Sequence, residues 1–202
     1  MKPNVGMNYP VFAPIQSYTP GSSVTYGNGA VISEARGASV SWEVEEGEFY
    51  GNDVLLDTAN GILGYTIEFE PAGLSDAMRA NLLGEVAGSS SASGEYSLTS
   101  AAAPMVGFGY VRVMREEGTG GAVNTTYESW WYYRLQFSLQ SEETRTKERN
   151  IEWRTPTLNG RGTGVQLSSG DTMTFAVHKS HATFAAAKSW LDTKANISTP
   201  NT

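Results

Sequence analysis

Apolar and polar positions alternate most persistently between Ser129 and Leu139. Trp131, Tyr133, Leu135, Phe137 and Leu139 share one parity, and Tyr132, Arg134, Gln136 and Ser138 share the other. Period two over that length predicts a strand with one face on a core and the other toward water or a partner. A weaker repeat follows, with Ile151 and Trp153 on one side and Glu152 and Arg154 on the other. Between them, Ser141–Arg149 sets Glu142, Glu143 and Glu148 against Arg145, Lys147 and Arg149, a balanced and solvated connector. The stretch 129–162 is therefore expected to be the central hairpin of a β-rich domain.

The same rule organises the rest of the chain. Residues 1–36 are rich in Gly, Pro, Ser and Asn, with short strand-like pieces at Tyr9–Ile15 and Val24–Tyr26 and a turn signal at Asn28-Gly29. From Ala38, Val40, Trp42 and Val44 oppose Ser39, Ser41, Glu43 and Glu45. Glu46-Gly47 predicts a turn, Glu48–Leu56 a return strand, Asp57–Gly61 a second turn, and Ile62–Glu70 a third strand. In that third strand Leu63, Tyr65, Ile67 and Phe69 oppose Thr66, Glu68 and Glu70. This predicts a meander with strongly acidic polar faces. Ser75 and Asp76 open a short helix with Met78, Leu82 and Leu83 on its apolar stripe and Gly84 at its end. Ala87–Gly94 is a flexible loop of small residues, more consistent with a mobile loop in one domain than with a domain boundary. Met105–Arg115 is another strand, with Phe108, Tyr110, Arg112 and Met114 on one parity. Short strands at Val165–Leu167 and Thr172–Val177 lead to a helix over Thr183–Lys194, whose face carries Phe184, Ala187, Trp190 and Leu191.

Composition supports this reading. Charged residues make up 17% of 202 positions, aromatics 11%, and there are 22 glycines, a mixture suited to β-structure with many turns. With no cysteine, disulfides, thiolate metal sites and cysteine nucleophiles are excluded. No signal-like or membrane-spanning apolar run is present, which predicts a protein that stays in the cytoplasm of the cell making it. The glycosylation patterns at Asn124 and Asn196 therefore carry little weight. Residues 1–104 hold twelve Asp/Glu against three Lys/Arg, and residues 105–202 nine against eleven. That imbalance suits either plain solubility or self-complementary association, and it argues against a basic nucleic-acid-binding face.

Catalytic constellations are scarce. His178 and His181 are the only histidines and have no third metal ligand beside them. No Gly-x-Ser-x-Gly elbow accompanies them, and Gly118–Gly121 lacks the Lys-Ser/Thr of a phosphate loop. Sequence-adjacent carboxylates such as Glu45/Glu46 point to opposite faces of a strand, which does not suit glycoside hydrolysis. Trp130–Tyr133 is a candidate sugar-stacking platform, although alternating aromatics more often serve core and interface. Neither an enzyme nor a cofactor or metal is expected.

In serial order, Phe49-Tyr50-Gly51-Asn52-Asp53, the strand Gly64–Glu70, the helix Leu74–Gly84, Pro104–Gly109, the aromatic strand Trp131–Phe137, and Glu143–Lys147 leading into Thr155–Gly160 resemble the major tail protein, or tail tube protein, of long-tailed phages of Gram-positive bacteria. The resemblance covers roughly residues 38–180. It implies a mainly β fold, a β-sandwich or half-barrel of tail-tube type with one short flanking helix and a C-terminal helix. The implied division is an extended N-terminal arm over 1–37, the β-sandwich domain over 38–180, and a C-terminal helix and tail over 181–202. It further implies hexameric rings whose sheets join into a barrel and stack into a tube. The tube's partners are the tape-measure protein, the tail terminator and the distal tail proteins, and DNA passes through without specific binding. Its location is the virion tail, after assembly in the host cytoplasm and away from any membrane. Under that reading Glu43, Glu45, Glu68 and Glu70 are candidates for a lumen face. Glu142, Glu143, Arg145, Lys147, Glu148 and Arg149 are candidates for an inter-ring arm, and Trp42, Phe69, Trp131, Tyr133, Phe137 and Trp153 for core or interface aromatics. The alternative from another class is a carbohydrate-binding β-sandwich using an exposed Trp/Tyr face.

Overall fold

A computed structural model describes residues 3–32, 34–51, 54–88, 94–117, 123–141, 155–170 and 172–198. Among the described residues the chain is mainly β, with two short helices. Its strands are β1 (Asn4–Tyr18), β2 (Val24–Tyr26), β3 (Ala30–Val31), β4 (Ala35–Gly51), β5 (Val54–Pro71), β6 (Val86–Ala87), β7 (Tyr96–Ser97), β8 (Met105–Glu117), β9 (Val123–Ser141), β10 (Thr157–Gly162) and β11 (Ala176–His181). The helices are α1 (Asp76–Leu83) and α2 (Phe184–Lys194).

Among the described residues, one antiparallel sheet of nine strands runs β2-β1-β8-β9-β10-β5-β4, with β3 on β1 and β11 on β9; β6 and β7 form a separate ladder. The sheet is curled. β8 and β5 stand three places apart in the order, a separation of about 14 Å in a flat sheet. Yet the Phe108 and Phe69 rings meet at 5.0 Å. Phe12, Ile67, Phe69, Phe108, Phe137 and Leu158, drawn from five strands, therefore share one inner core, which α1 closes with Leu82 and Leu83. On the outer face, α2 covers a second cluster of Val11, Val111, Trp131 and Leu191.

Both helices begin and end as their sequences predict. The Ser75 hydroxyl accepts from the Met78 amide at 3.4 Å, and Gly84 closes α1 in the left-handed conformation at φ 74°. The Thr183 hydroxyl accepts from the Ala186 amide at 3.3 Å, and Phe184, Ala187, Trp190 and Leu191 all face the sheet.

Three sequence expectations are corrected. The segment 1–37 is not a separate arm: β1 lies between β2 and β8, and Val11, Phe12 and Ala13 are fully buried. The helix expected within 181–202 is α2, which contributes Ala187 and Leu191 to the buried outer core. The expected three-strand meander is a single long hairpin, since Glu46 pairs with Asn60, Gly47 with Ala59 and Phe49 with Asp57. Both supposed turns lie inside its ladder, which runs out to Gly51 opposite Val54. The third correction concerns β9. Val106 pairs with Leu135 but Phe108 pairs with Tyr132, so a bulge inserts one extra residue of β9 at Tyr133–Arg134. The bulge exchanges the faces: Tyr132, Leu135 and Phe137 point into the inner core, while Trp131 and Tyr133 lie under α2. Near the end, Val165 and Thr174 form only an isolated bridge, and the strand expected at Thr172–Val177 begins at Ala176.

Candidate functional site

The outer face of β4, β5, β10 and β9 carries the polar parity of each strand. Across it run two rows, Ser39–Glu68–Asn159–Ser138 and Ser41–Thr66–Arg161–Gln136. Glu70 opposes Gly37 and Glu43 opposes Gly64, so both join this face. Past Glu43 the register slips, with Leu63 as the extra residue of β5, and Glu45 pairs with Gly61. Because the bulge is on β5, Glu45 keeps the parity of Glu43. The four glutamates proposed from parity thus lie on one face.

That face is acid-rich but not purely negative. The Arg161 guanidinium stands 3.4 Å from a Glu43 carboxylate oxygen, with both side chains well exposed. Such a pair is screened by water and contributes little to stability. An open groove of about 790 Å³ runs beside it, floored by Glu43, Thr66, Asn159 and Arg161 and walled by Leu98 and Ala101–Ala103. The Gln136 amide donates to the Ala103 carbonyl and fixes that wall to the sheet.

The aromatic candidates divide. Phe69, Phe137 and Trp131 are fully buried or nearly so, the first two inside and the third under α2. Tyr133 is half-buried with Trp131's layer. Trp42 is 41% exposed, with its ring 5.5 Å from Tyr65 and 6.3 Å from Phe175. Trp153 and the six charged arm candidates from Glu142 to Arg149 lie outside the described residues. The suggested sugar platform is broken up, because Trp130 and Tyr132 face inward and Trp131 and Tyr133 outward.

Sequence reasoning missed two features. On the inner face beyond Trp42, Val44 pairs directly with Ile62, and the two are 50% and 48% exposed. The signal was the apolar parity of β4 itself, hidden by the mistaken turn. The second feature is a polar aromatic cluster. Arg112 lies over the Trp130 ring at 4.5 Å and donates to the Tyr110 hydroxyl at 3.0 Å, which sits 3.3 Å from that of Tyr132. Burial opposes the Arg112 charge, but the Tyr110 hydrogen bond and the neighbouring Tyr132 and Glu128 leave its pKa above the ordinary value. The Trp130 indole donates to Glu128 at 2.7 Å, and His178 Nδ1 stands 4.0 Å from the same carboxylate.

His178 and His181 are three apart on a strand and so face opposite ways, His178 toward Trp130 and His181 toward Trp190 on α2. Burial, then Lys179, lowers the pKa of His181. Among the described residues no three His, Cys, Asp or Glu side chains gather as metal ligands, and no helix is long and apolar enough to cross a membrane.

Fold and site together define a curled β-sheet protein with an acid-rich outer face and an uncovered apolar strip. Compared with models of protein families and with curated proteins, the chain matches none.

Proposed function

We propose that this chain is a self-assembling structural subunit, the tail tube protein of a long-tailed phage. The observation that carries the reading is the β4–β5 hairpin. β10 ends opposite Tyr65, but β4 and β5 continue as a two-stranded ribbon from Glu43/Gly64 out to Gly51/Val54. Isolated ribbons are marginal in water. One that also exposes Trp42, Val44, Ile62 and Leu63 suits a surface that another copy covers. The ribbon joins the charged connector 141–149 as an element suited to reach a neighbouring subunit or ring.

In the assembled tube the face bearing Glu43, Glu45, Glu68 and Glu70 lines the lumen. DNA carries about one negative charge per 1.7 Å of its axis, so an acid-rich wall repels it and prevents adhesion during passage. Screening confines the effect to about 8–10 Å. Before ejection the lumen holds the tape-measure protein; tail terminator and distal tail proteins cap the two ends, and the finished tube resides in the virion. The subunit needs neither cofactor nor covalent chemistry for this role.

Electron microscopy of the concentrated protein, with its mass from light scattering, tests the reading. Rings or tubes with a central hole are expected. A monodisperse monomer at every concentration, with or without phage tail initiators, overturns it. For the lumen, a Glu68→Lys/Glu70→Lys variant is expected to assemble yet deliver DNA poorly; normal delivery removes the lumen assignment.

A further inference from the structure

The sheet forks at Gly162. There β10 stops beside Tyr65 and Leu135. Farther along β9, β11 takes its place, from Ala176 opposite Tyr132 to His181 opposite Tyr127. On the other prong β5 runs on with β4 alone. Among the described residues the outer edges of both prongs therefore lack a ladder partner, β4 with 17 residues and β11 with six, and so does β5 beyond Tyr65 on its side away from β4. An open edge is a row of unpaired N–H and C=O groups that templates pairing with another strand.

The two outer edges are complementary in charge. β4 carries Glu43 and Glu45 against Arg36, whereas β11 carries Lys179 with His178 and His181 and no acid. Their faces also correspond. On β11, Val177, Lys179 and His181 point to the outer face, opposite Trp131, Ser129 and Tyr127, while Ala176 and His178 point inward with Trp130. On β4, Glu43 and Glu45 point outward, while Trp42 and Val44 point inward.

We propose that the open edge of β4 in one copy pairs with the open edge of β11 in a second copy. A sheet continued across this seam sets Lys179 among the glutamates on its outer face. On its inner face it brings Trp42 and Val44, 41% and 50% exposed in the single chain, against the Trp130–His178 side. The contact is heterologous, because each copy offers one edge and receives the other, so it propagates from copy to copy until a ring closes. It gives the apolar strip an occupant and the unequal charges of the two halves a use. The inference rests on the self-assembling reading and names the two surfaces that meet.

The test uses Glu45→Lys and Lys179→Glu, two substitutions on exposed side chains, each checked for an unchanged circular dichroism spectrum. Either variant alone meets like charge with like charge and is expected to assemble about tenfold less readily than the parent. Mixed in equal amounts, they offer a basic β4 edge to an acidic β11 edge and the reverse, so the mixture is expected to recover assembly in alternating order. Parent-like rings from either variant alone, or no recovery on mixing, overturn the seam and leave the subunit reading standing. A parent protein that never associates overturns both.

Discussion

The Tyr9 hydroxyl donates a 2.7 Å hydrogen bond to the Asp192 carboxylate, joining the first strand of the chain to its last helix. Tyr9 holds a left-handed backbone at φ 52°, and Asp192 is only 7% exposed. The Lys188 ammonium lies 4.9 Å from the centre of the Tyr9 ring. A long-range polar contact thus sets where α2 rests on the sheet.

Removing the Tyr9 hydroxyl leaves a buried carboxylate without that donor. Tyr9→Phe is expected to destabilise the chain by about 1–3 kcal/mol. Tyr9→Phe combined with Asp192→Leu is expected to recover part of that, since the uncompensated charge goes with it. Urea midpoints of the four proteins measure the coupling; additive effects would show that the bond does not hold the helix.

Gly162 stands beside the Tyr65 ring so closely that an added Cβ would lie inside its van der Waals surface. Tyr65 is fully buried, and its hydroxyl donates to the Arg134 carbonyl at 3.1 Å, so the ring has little freedom to retreat. Gly162→Ala is expected to cost about 1–3 kcal/mol through overpacking. In a Tyr65→Leu background the added methyl is expected to cost much less, and an undiminished penalty there would point to backbone strain instead.

Tyrosines set the alkaline limit, Tyr133 among them. Burial first of all raises the pKa of Tyr9, Tyr26, Tyr65 and Tyr132 above the usual phenol value, with Asp192 adding to it at Tyr9 and Tyr110 at Tyr132. In the unfolded chain a phenol titrates near about 10. Above that pH the unfolded state has released protons that the folded state still holds, so stability falls as pH rises. The expectation is a flat denaturant midpoint up to about pH 10. Beyond that it should decline steeply, with tyrosinate absorbance rising as the structure is lost. Complete tyrosinate formation at the ordinary value in a folded protein would contradict the burial of these rings.

Leu191 is fully buried between α2 and the sheet with Trp131, Val11 and Val111. Leu191→Ala is expected to cost about 2–5 kcal/mol. Because Trp131 lies beneath it, a red-shifted tryptophan emission should accompany the loss. A change below about 0.5 kcal/mol, the range of surface substitutions, would mean that α2 is not part of the cooperative unit.

Local signals sufficed wherever one element decides its own fate. Period-two alternation located β8, β9 and the inner residues Tyr65, Ile67 and Phe69, and the caps at Ser75 and Gly84 marked the ends of α1. Parity paired Glu43 with Glu45 and Glu68 with Glu70 on their own strands, and the pairing of β4 with β5 put both pairs on one face, because the bulge between Glu43 and Glu45 falls on the opposing strand. Pairing between strands decided the rest. Gly47 and Gly61 read as turns in sequence, yet a partner strand absorbs them into one ladder. The bulge at Tyr133–Arg134 is invisible in a parity count, because an extra residue is defined only against the strand opposite it. Curling of the sheet then determined that β1, which reads as a loose leader, contributes Phe12 to the inner core, and that β4 and β11 are left with open edges. Those contacts join residues far apart in the chain, and only the folded sheet brings them within reach of one another.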